Sequence, residues 1–336
     1  MLLKKNVKNM HFSVKNGVFL ANMAVKHRTL GLSYEREDKK YYWEGVMEPK
    51  IESELKKLLI KSQVLSHQSA LSGLTPETSL YDAVDYHLSN PGSGARMSLS
   101  LAASLALDIS PDKAAHLAAA VESLHNASLI QDDLQDRDDL RRGKPAVWKK
   151  FGPDLAINAT DLLLSNAYAL VANIDGVSSV QQLISTMHQA VVKTLQGQMK
   201  DLSRNQSESI TEGIAIAADK SGPLFSLSLQ LPLILAGHED YVDLAGETGS
   251  LFGVGYQIFD DIQDLSKDRC ADNHFNLAQL VNEKGLSGIP DNRAEDLAHS
   301  YLAQALKSAS KLPNGCANLL CENCVTLLAV LEKEAA

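Results

Sequence analysis

Two nearly identical acidic pentapeptides, Asp132-Asp133-Leu134-Gln135-Asp136 and Asp260-Asp261-Ile262-Gln263-Asp264, stand 128 residues apart, each closing a helix-like apolar segment. A spacing of one and four puts the three acids on adjoining parts of one helical face. Three like charges there repel, so the fold must bring cations or water to them. In the segment opening at Pro111, residues Ala114, Leu117, Ala118, Val121 and Ser128 form an inward-looking arc. At about 100° per residue, Asp132 falls about 20° from Val121 and His125 about 40°, so both continue that arc. The first acid run therefore points into the protein. In the second segment Leu251, Ile258, Ile262 and Leu265 make an apolar side. Ser250, Gly253, Gln257, Asp260, Asp261 and Asp264 share the other. A merely solvated face mixes Lys with Glu, whereas this one holds no basic residue.

The remainder of the text is helix after helix from Glu48 onward, rich in Ala, Leu, Glu, Lys and Gln and poor in alternating β-branched residues. Breaks fall at Ser72–Pro76, Ser89–Gly94, Ile109–Pro111, Gly143–Pro145, Phe151–Pro153, Asp175–Ser178, Ser221–Pro223 and Gly285–Asp291. Ser110 before Pro111 and Asp112 reads as a helix N-cap. None of these breaks is long or polar enough for an interdomain linker, which predicts one all-α domain over residues 47–336. Residues 1–46 read as a basic, poorly ordered extension, with no Asp or Glu before Glu35.

A formal charge of −9 without a basic stripe disfavours nucleic-acid binding. No apolar run is read as long enough to span a bilayer, so no transmembrane segment is expected. Four cysteines, three of them between Cys316 and Cys324, make no disulfide framework and point to a cytoplasmic setting. Cys321-x-x-Cys324 has a zinc-like spacing but no second pair, and Leu319, Leu320, Val325 and Leu327 make it a core helix.

Clustered carboxylates without Cys or His suit a hard cation. Mg²⁺ takes one or two carboxylates and completes its shell with water and substrate phosphate oxygens. Two facing clusters could hold several Mg²⁺ ions around one diphosphate and stabilise it as a C–O bond ionises. Basic residues lie near: Arg141-Arg142-Gly143-Lys144-Pro145 and Lys220-Ser221-Gly222-Pro223, the lysine being read at a helix end.

In this order, the residues resemble the polyprenyl synthetase family of trans-isoprenyl diphosphate synthases. The resemblance runs from Leu124-His125-Asn126-Ala127-Ser128-Leu129-Ile130-Gln131 through the first acid cluster, Arg141–Pro145, Phe151-Gly152, Asp161-Leu162-Leu163 and Gly197–Leu202. It continues through Lys220-Ser221-Gly222 to Tyr256–Asp264. It implies an isoprenoid synthase fold around a deep central cavity, and a homodimer. It further implies an enzyme joining an allylic diphosphate to isopentenyl diphosphate. Asp132, Asp136 and Asp260 would bind Mg²⁺, with Asp133, Asp261 and Asp264 supporting. Arg141, Lys220 and Gln257 match positions that hold the allylic diphosphate, and His125 and Arg142 match positions contacting isopentenyl diphosphate.

The chain departs from the family where a Gly-Gly-Lys-Arg segment is usual. Ser93 and Gly94 stand in place of the Lys-Arg pair, and Arg96 is the nearby cation. The usual Gly-Lys-x-x-Gly-x-Asp stretch after Asp264 is missing as well. The allylic site thus reads as intact and the isopentenyl site as altered. Ala127, five residues before the first cluster and often aromatic in makers of short chains, is small and is followed by Ser128. That combination implies a product of about C20 or longer. A terpene cyclase on the same fold and a regulatory subunit of a synthase heteromer are the alternatives. The first accounts for the altered isopentenyl site but sits poorly with a second Asp-Asp-x-x-Asp. The second sits poorly with six retained acids.

Overall fold

The computed structural model describes residues 49–203, 209–265, 276–284 and 293–334. The expected extension, the break at Gly285–Asp291 and most of the stretch after Asp264 lie outside the described residues. Twelve α-helices make up the described chain: α1 (Pro49–Leu71), α2 (Ser79–Leu88), α3 (Ala95–Ala106), α4 (Pro111–Asp136), α5 (Val147–Phe151), α6 (Pro153–Ala172), α7 (Val180–Leu202), α8 (Ile210–Leu235), α9 (Val242–Asp264), α10 (Leu277–Lys284), α11 (Ala294–Ala309) and α12 (Asn318–Glu334). A two-stranded hairpin, β1 (Leu140–Arg141) with β2 (Lys144–Pro145), is the sheet among the described residues. The all-α expectation holds with that small exception.

Start and stop chemistry follows the text in most places. Thr78 caps α2, and Ser209 forms a reciprocal capping box with Glu212 on α8. Ser110 occupies the N-cap of α4 with Pro111 behind it, although its hydroxyl makes no capping bond. One expected break is absent: α8 runs unbroken through Ser221-Gly222-Pro223 and through Pro232. A proline there removes one backbone bond, but most of α8 from Gly222 to Ile234 is buried, and packing outweighs that local loss. Lys220 therefore projects from mid-helix, not from a helix end.

Three apolar clusters hold the helices together. The largest joins α3, α8, α9, α11 and α12, the second α4, α6, α7 and α8, and the third α1, α2, α4 and α6. Helices α4 and α8 each serve more than one cluster, so both are buried on more than one side. Small residues set their spacing from neighbours. A Cβ on Gly249 would sit 2.3 Å from Ser226 N, and one on Gly253 2.7 Å from Gly222 Cα, so α8 and α9 meet backbone to backbone. A Cβ on Gly197 would lie 2.6 Å from Lys220 N, which locks α7 against α8 in the same manner.

The absence of any apolar run long enough to cross a membrane needs correction. Helix α6 meets that test by length and composition. Its Ala156, Ala159, Leu163, Ala167, Leu170 and Val171 are buried between α4 and its neighbours, which accounts for its apolarity through packing.

Candidate active site

Helix α4 delivers the first acid cluster, and each carboxylate meets a different environment. Asp133 is fully buried and accepts from Arg141, with Nε at 2.8 Å and Nη2 closer still. Burial raises its carboxyl above the ordinary range while Arg141 pulls it back. Asp132 is pushed up to about 6, first by burial, with the neighbouring Asp136 adding and Lys220 opposing. Asp136 accepts from Gln198 Nε2 at 3.2 Å and lies 3.8 Å from Lys220 Nζ. Lys220 also donates to Asp201 at 2.8 Å.

The second cluster reaches the same lysine segment from the other side. Ser221, next to Lys220, donates to Gln257 Oε1 at 2.9 Å, and Gln257 Nε2 donates to Asp261 at 2.8 Å. A continuous path of contacts therefore runs from Asp136 through Lys220-Ser221 to Gln257 and Asp261. The glycine-to-glycine approach of α8 and α9 makes it possible. Asp261 is committed further: its Oδ2 accepts from Leu277 N at 2.8 Å and its backbone carbonyl accepts from Asn276 at 2.8 Å, which anchors the start of α10. Burial raises its carboxyl to about 6. Asp260 is exposed and exerts its charge on Arg96 and Tyr256, while Asp264 is half-exposed at the helix end.

The basic hairpin aims its two arginines apart. Arg142 and Gly143, with φ of 53° and 75°, form the tight two-residue turn between β1 and β2. Arg141 turns to Asp133, whereas Arg142 Nη1 donates to Asn90 O at 2.6 Å with its guanidinium over Gly92. Arg96 lies over the Phe225 ring at 4.0 Å, with Nη1 3.3 Å from His125 Nε2. Burial and the charges of Arg96 and Arg142 hold His125 well below the usual histidine range, hence neutral. His87, Glu122 and Asn126 complete this polar layer: His87 Nε2 donates to Asn126 Oδ1 at 3.0 Å and Asn126 Nδ2 donates to Glu122 O at 2.9 Å. Arg96 and Arg142 thus both lie close to His125.

Ala127 is 4% exposed and packs in the third cluster with Ala70, Ala83, Val84 and Ile130. Ser128 turns its hydroxyl back to His125 O at 2.9 Å. Sequence reasoning passed over Glu122, Asn90, Gly92, Gln198, Asp201, Phe225 and Tyr256 as site residues. Gln198 and Asp201 were visible as part of Gly197–Leu202. Tyr256 was visible in the same way at the head of Tyr256–Asp264, whereas Glu122, Asn90, Gly92 and Phe225 carry no local signal, because their roles depend on partners far away in the chain.

Among the described residues no three His, Cys, Asp or Glu side chains converge into a ready-made metal cluster, so Asp132, Asp136 and Asp260 do not form one coordination sphere by themselves. Their chemistry still fits Mg²⁺. All are hard oxygen donors, and a divalent cation offsets both the burial that chiefly raises Asp132 and the neighbouring charge of Asp136. Cys316 and Cys321 are buried with thiols pushed up to about 12, which agrees with a packing role.

Comparison with known proteins finds relatives by sequence and by fold. A geranylgeranyl pyrophosphate synthase of Geoglobus acetivorans is 32% identical over 191 residues, covering 56% of this chain and 60% of that protein. A geranylgeranyl diphosphate synthase of Pantoea ananas is 32% identical over 229 residues, covering 64% of this chain and 76% of that protein. The chain spans about three fifths to two thirds of the length of the first archaeal relatives it matches. The solved structure of the Geoglobus acetivorans geranylgeranyl pyrophosphate synthetase superimposes with a TM-score of 0.70 at 25% identity, covering 83% of this chain and 99% of that one. That of a geranyltranstransferase from Thermotoga maritima does so with a TM-score of 0.64 at 25% identity, covering 85% and 97%. The family described as polyprenyl synthetase matches residues 77–274, and with more than half of its length matched this chain belongs to that family.

Proposed function

We propose that the chain is a Mg²⁺-dependent prenyltransferase that condenses an allylic diphosphate with isopentenyl diphosphate to give a trans-prenyl diphosphate of about C20 or longer. The observation that carries this reading is the path of contacts linking the two acid clusters across Lys220-Ser221. It sets acids on both sides of one lysine, the arrangement a diphosphate with its cations needs. Asp132 and Asp136 from α4 and Asp260 from α9 would hold Mg²⁺. When bound, the metal supplies Lewis-acid stabilisation of the departing diphosphate. Asp133, Asp261 and Asp264 act behind them, Asp133 by fixing Arg141 and Asp261 by fixing Gln257.

Lys220 shares its three donors between the acids and the diphosphate, and Arg141, Lys220 and Gln257 orient it. The allylic C–O bond breaks with its electron pair leaving on diphosphate. The isopentenyl double bond then attacks C1 of the allylic cation through its C4, and the tertiary cation left at the isopentenyl C3 loses a proton from C2 to the departed diphosphate. Arg142, His125 and Arg96 bind the isopentenyl diphosphate group, with neutral His125 able to donate from one nitrogen. We place Ala127 and Ser128 at the depth where chain growth is limited. We further propose that two copies of the chain form the working unit and that it acts in the cytoplasm.

Product analysis of the purified protein with Mg²⁺ and farnesyl diphosphate, with and without isopentenyl diphosphate, tests this. A longer prenyl diphosphate formed only when both are present supports the synthase. Hydrocarbon or alcohol from farnesyl diphosphate alone replaces it by a cyclase. No turnover with either leaves the regulatory subunit.

A further inference from the structure

Beside the arginine layer, α1, the C-terminal end of α2, the loop through Pro91-Gly92 and the faces of α3 and α4 enclose a cavity of about 40 Å³, lined by Gln63, Ser66, His67, Gly92, Glu122 and Asn126 among others. That volume accommodates about three water-sized occupants. Glu122 is 8% exposed, and its Oε2 meets no hydrogen-bond donor of the protein. A buried carboxylate oxygen without a donor is costly.

The other polar walls are largely spoken for. His67 Nε2 pairs with Asp85 at 2.7 Å, the Asn126 amide is shared between His87 and Glu122 O, and Ser66 Oγ stands 3.3 Å from Ser123 Oγ. Among the lining side chains, Glu122, Ser66 and Gln63 each carry an oxygen. Arg142 bounds the cavity across Gly92; burial raises the Glu122 carboxyl, and the charges of Arg142 and Arg96 oppose that rise. Two guanidiniums near a single carboxylate disfavour a doubly charged ion more strongly than a singly charged one. At Ser93 and Gly94 the chain offers no side-chain cation.

We propose that this cavity is a monovalent-cation site, taking an ion of potassium or ammonium size on Glu122 Oε2, Ser66 Oγ and the Gln63 amide oxygen. By neutralising Glu122, the ion frees the charge of Arg96 and Arg142 for a phosphate group of the acceptor. This second effect rests on the prenyltransferase reading, whereas the site itself does not.

The full chain is melted in potassium chloride, ammonium chloride and tetramethylammonium chloride at equal ionic strength. A bound ion at about tenfold its dissociation constant raises Tm by roughly 2–4 °C. We expect that rise in potassium and ammonium, its loss in Glu122→Gln, and its reduction in Gln63→Met, a half-exposed position where folding is not at stake. An equal Tm in all three salts, or an undiminished rise in Glu122→Gln, overturns the site. In a parallel assay with saturating farnesyl diphosphate, potassium should lower the KM for isopentenyl diphosphate about five- to tenfold relative to tetramethylammonium, as a typical coupling between sites does. A Tm rise without any turnover keeps the cation site and sinks the synthase reading instead.

Discussion

At the scale of single residues, the site separates groups that hold from groups that are held. Arg141 matches a position that grips diphosphate, yet its guanidinium is bound to the fully buried Asp133. Removing one partner of a buried pair strands the other charge. Arg141→Gln should therefore lower stability by about 3 kcal/mol in urea unfolding. Asp133→Asn in the same chain should restore part of it; an additive pair would remove the ion-pair argument. His87 makes a second case. Burial first, then Arg142, lowers it from 6.5 to about 3, so the folded protein holds it neutral. Its contribution is complete above about pH 6.5 and is lost as pH falls toward 3. Between pH 7 and 5 that is about 2 kcal/mol, following the linkage between protonation and folding. His87→Gln should flatten the unfolding free energy over that interval by this amount. Ala127→Phe is expected to shorten the product in a chain-length assay, and, because Ala127 is enclosed, to cost about 1–3 kcal/mol through overpacking. An unchanged product would remove Ala127 from chain-length control.

At the scale of elements, the crossing of α8 and α9 decides whether two acid clusters become one site. Gly253 approaches Gly222 so closely that the clash on adding a Cβ is with backbone, which cannot rotate away. Gly253→Ala should thus destabilise by about 1–3 kcal/mol and shift Gln257 away from Ser221. A drop in kcat with farnesyl diphosphate should accompany the fall in Tm. Wild-type values for both would mean that the crossing is looser than the geometry requires. This crossing also marks where reading the text succeeds and where it stops. Acid spacing, helix succession and the inward turn of Asp132 and His125 are local, periodic properties, so they were legible. Continuity of α8 through Pro223 was not, because burial along the helix, not local propensity, keeps it helical there. Nor was the different fate of each aspartate: Asp261 reads like Asp133, but one anchors the start of α10 while the other holds Arg141. Those partners lie 16 and 8 residues away, and only the tertiary fold selects them.

At the scale of the whole molecule, one surface stands out among the described residues. Val192, Leu195, Met199 and Leu202 are spaced 3, 4 and 3 along α7 and are 38–58% exposed, so a continuous apolar stripe faces outward. Single exposed apolar residues need no explanation, but a helical stripe at this spacing is the form of a self-complementary interface. The stripe lies on the other side of α7 from Gly197, which is locked against Lys220. Next to Gly197, Gln198 donates to Asp136 in the first acid cluster. A second copy seated on the stripe would therefore back the helix that supports the site. Leu195→Glu buries a charge in that interface, and light scattering should find the mass of one chain where the wild type gives twice that. Folding should survive, since Leu195 is outside the core, while kcat falls roughly ten- to a hundredfold as Gln198 and Lys220 lose their exact placement. A wild type that already runs as a single chain would remove the homodimer. A dimeric Leu195→Glu would move the interface to another face and leave the stripe without a role in assembly.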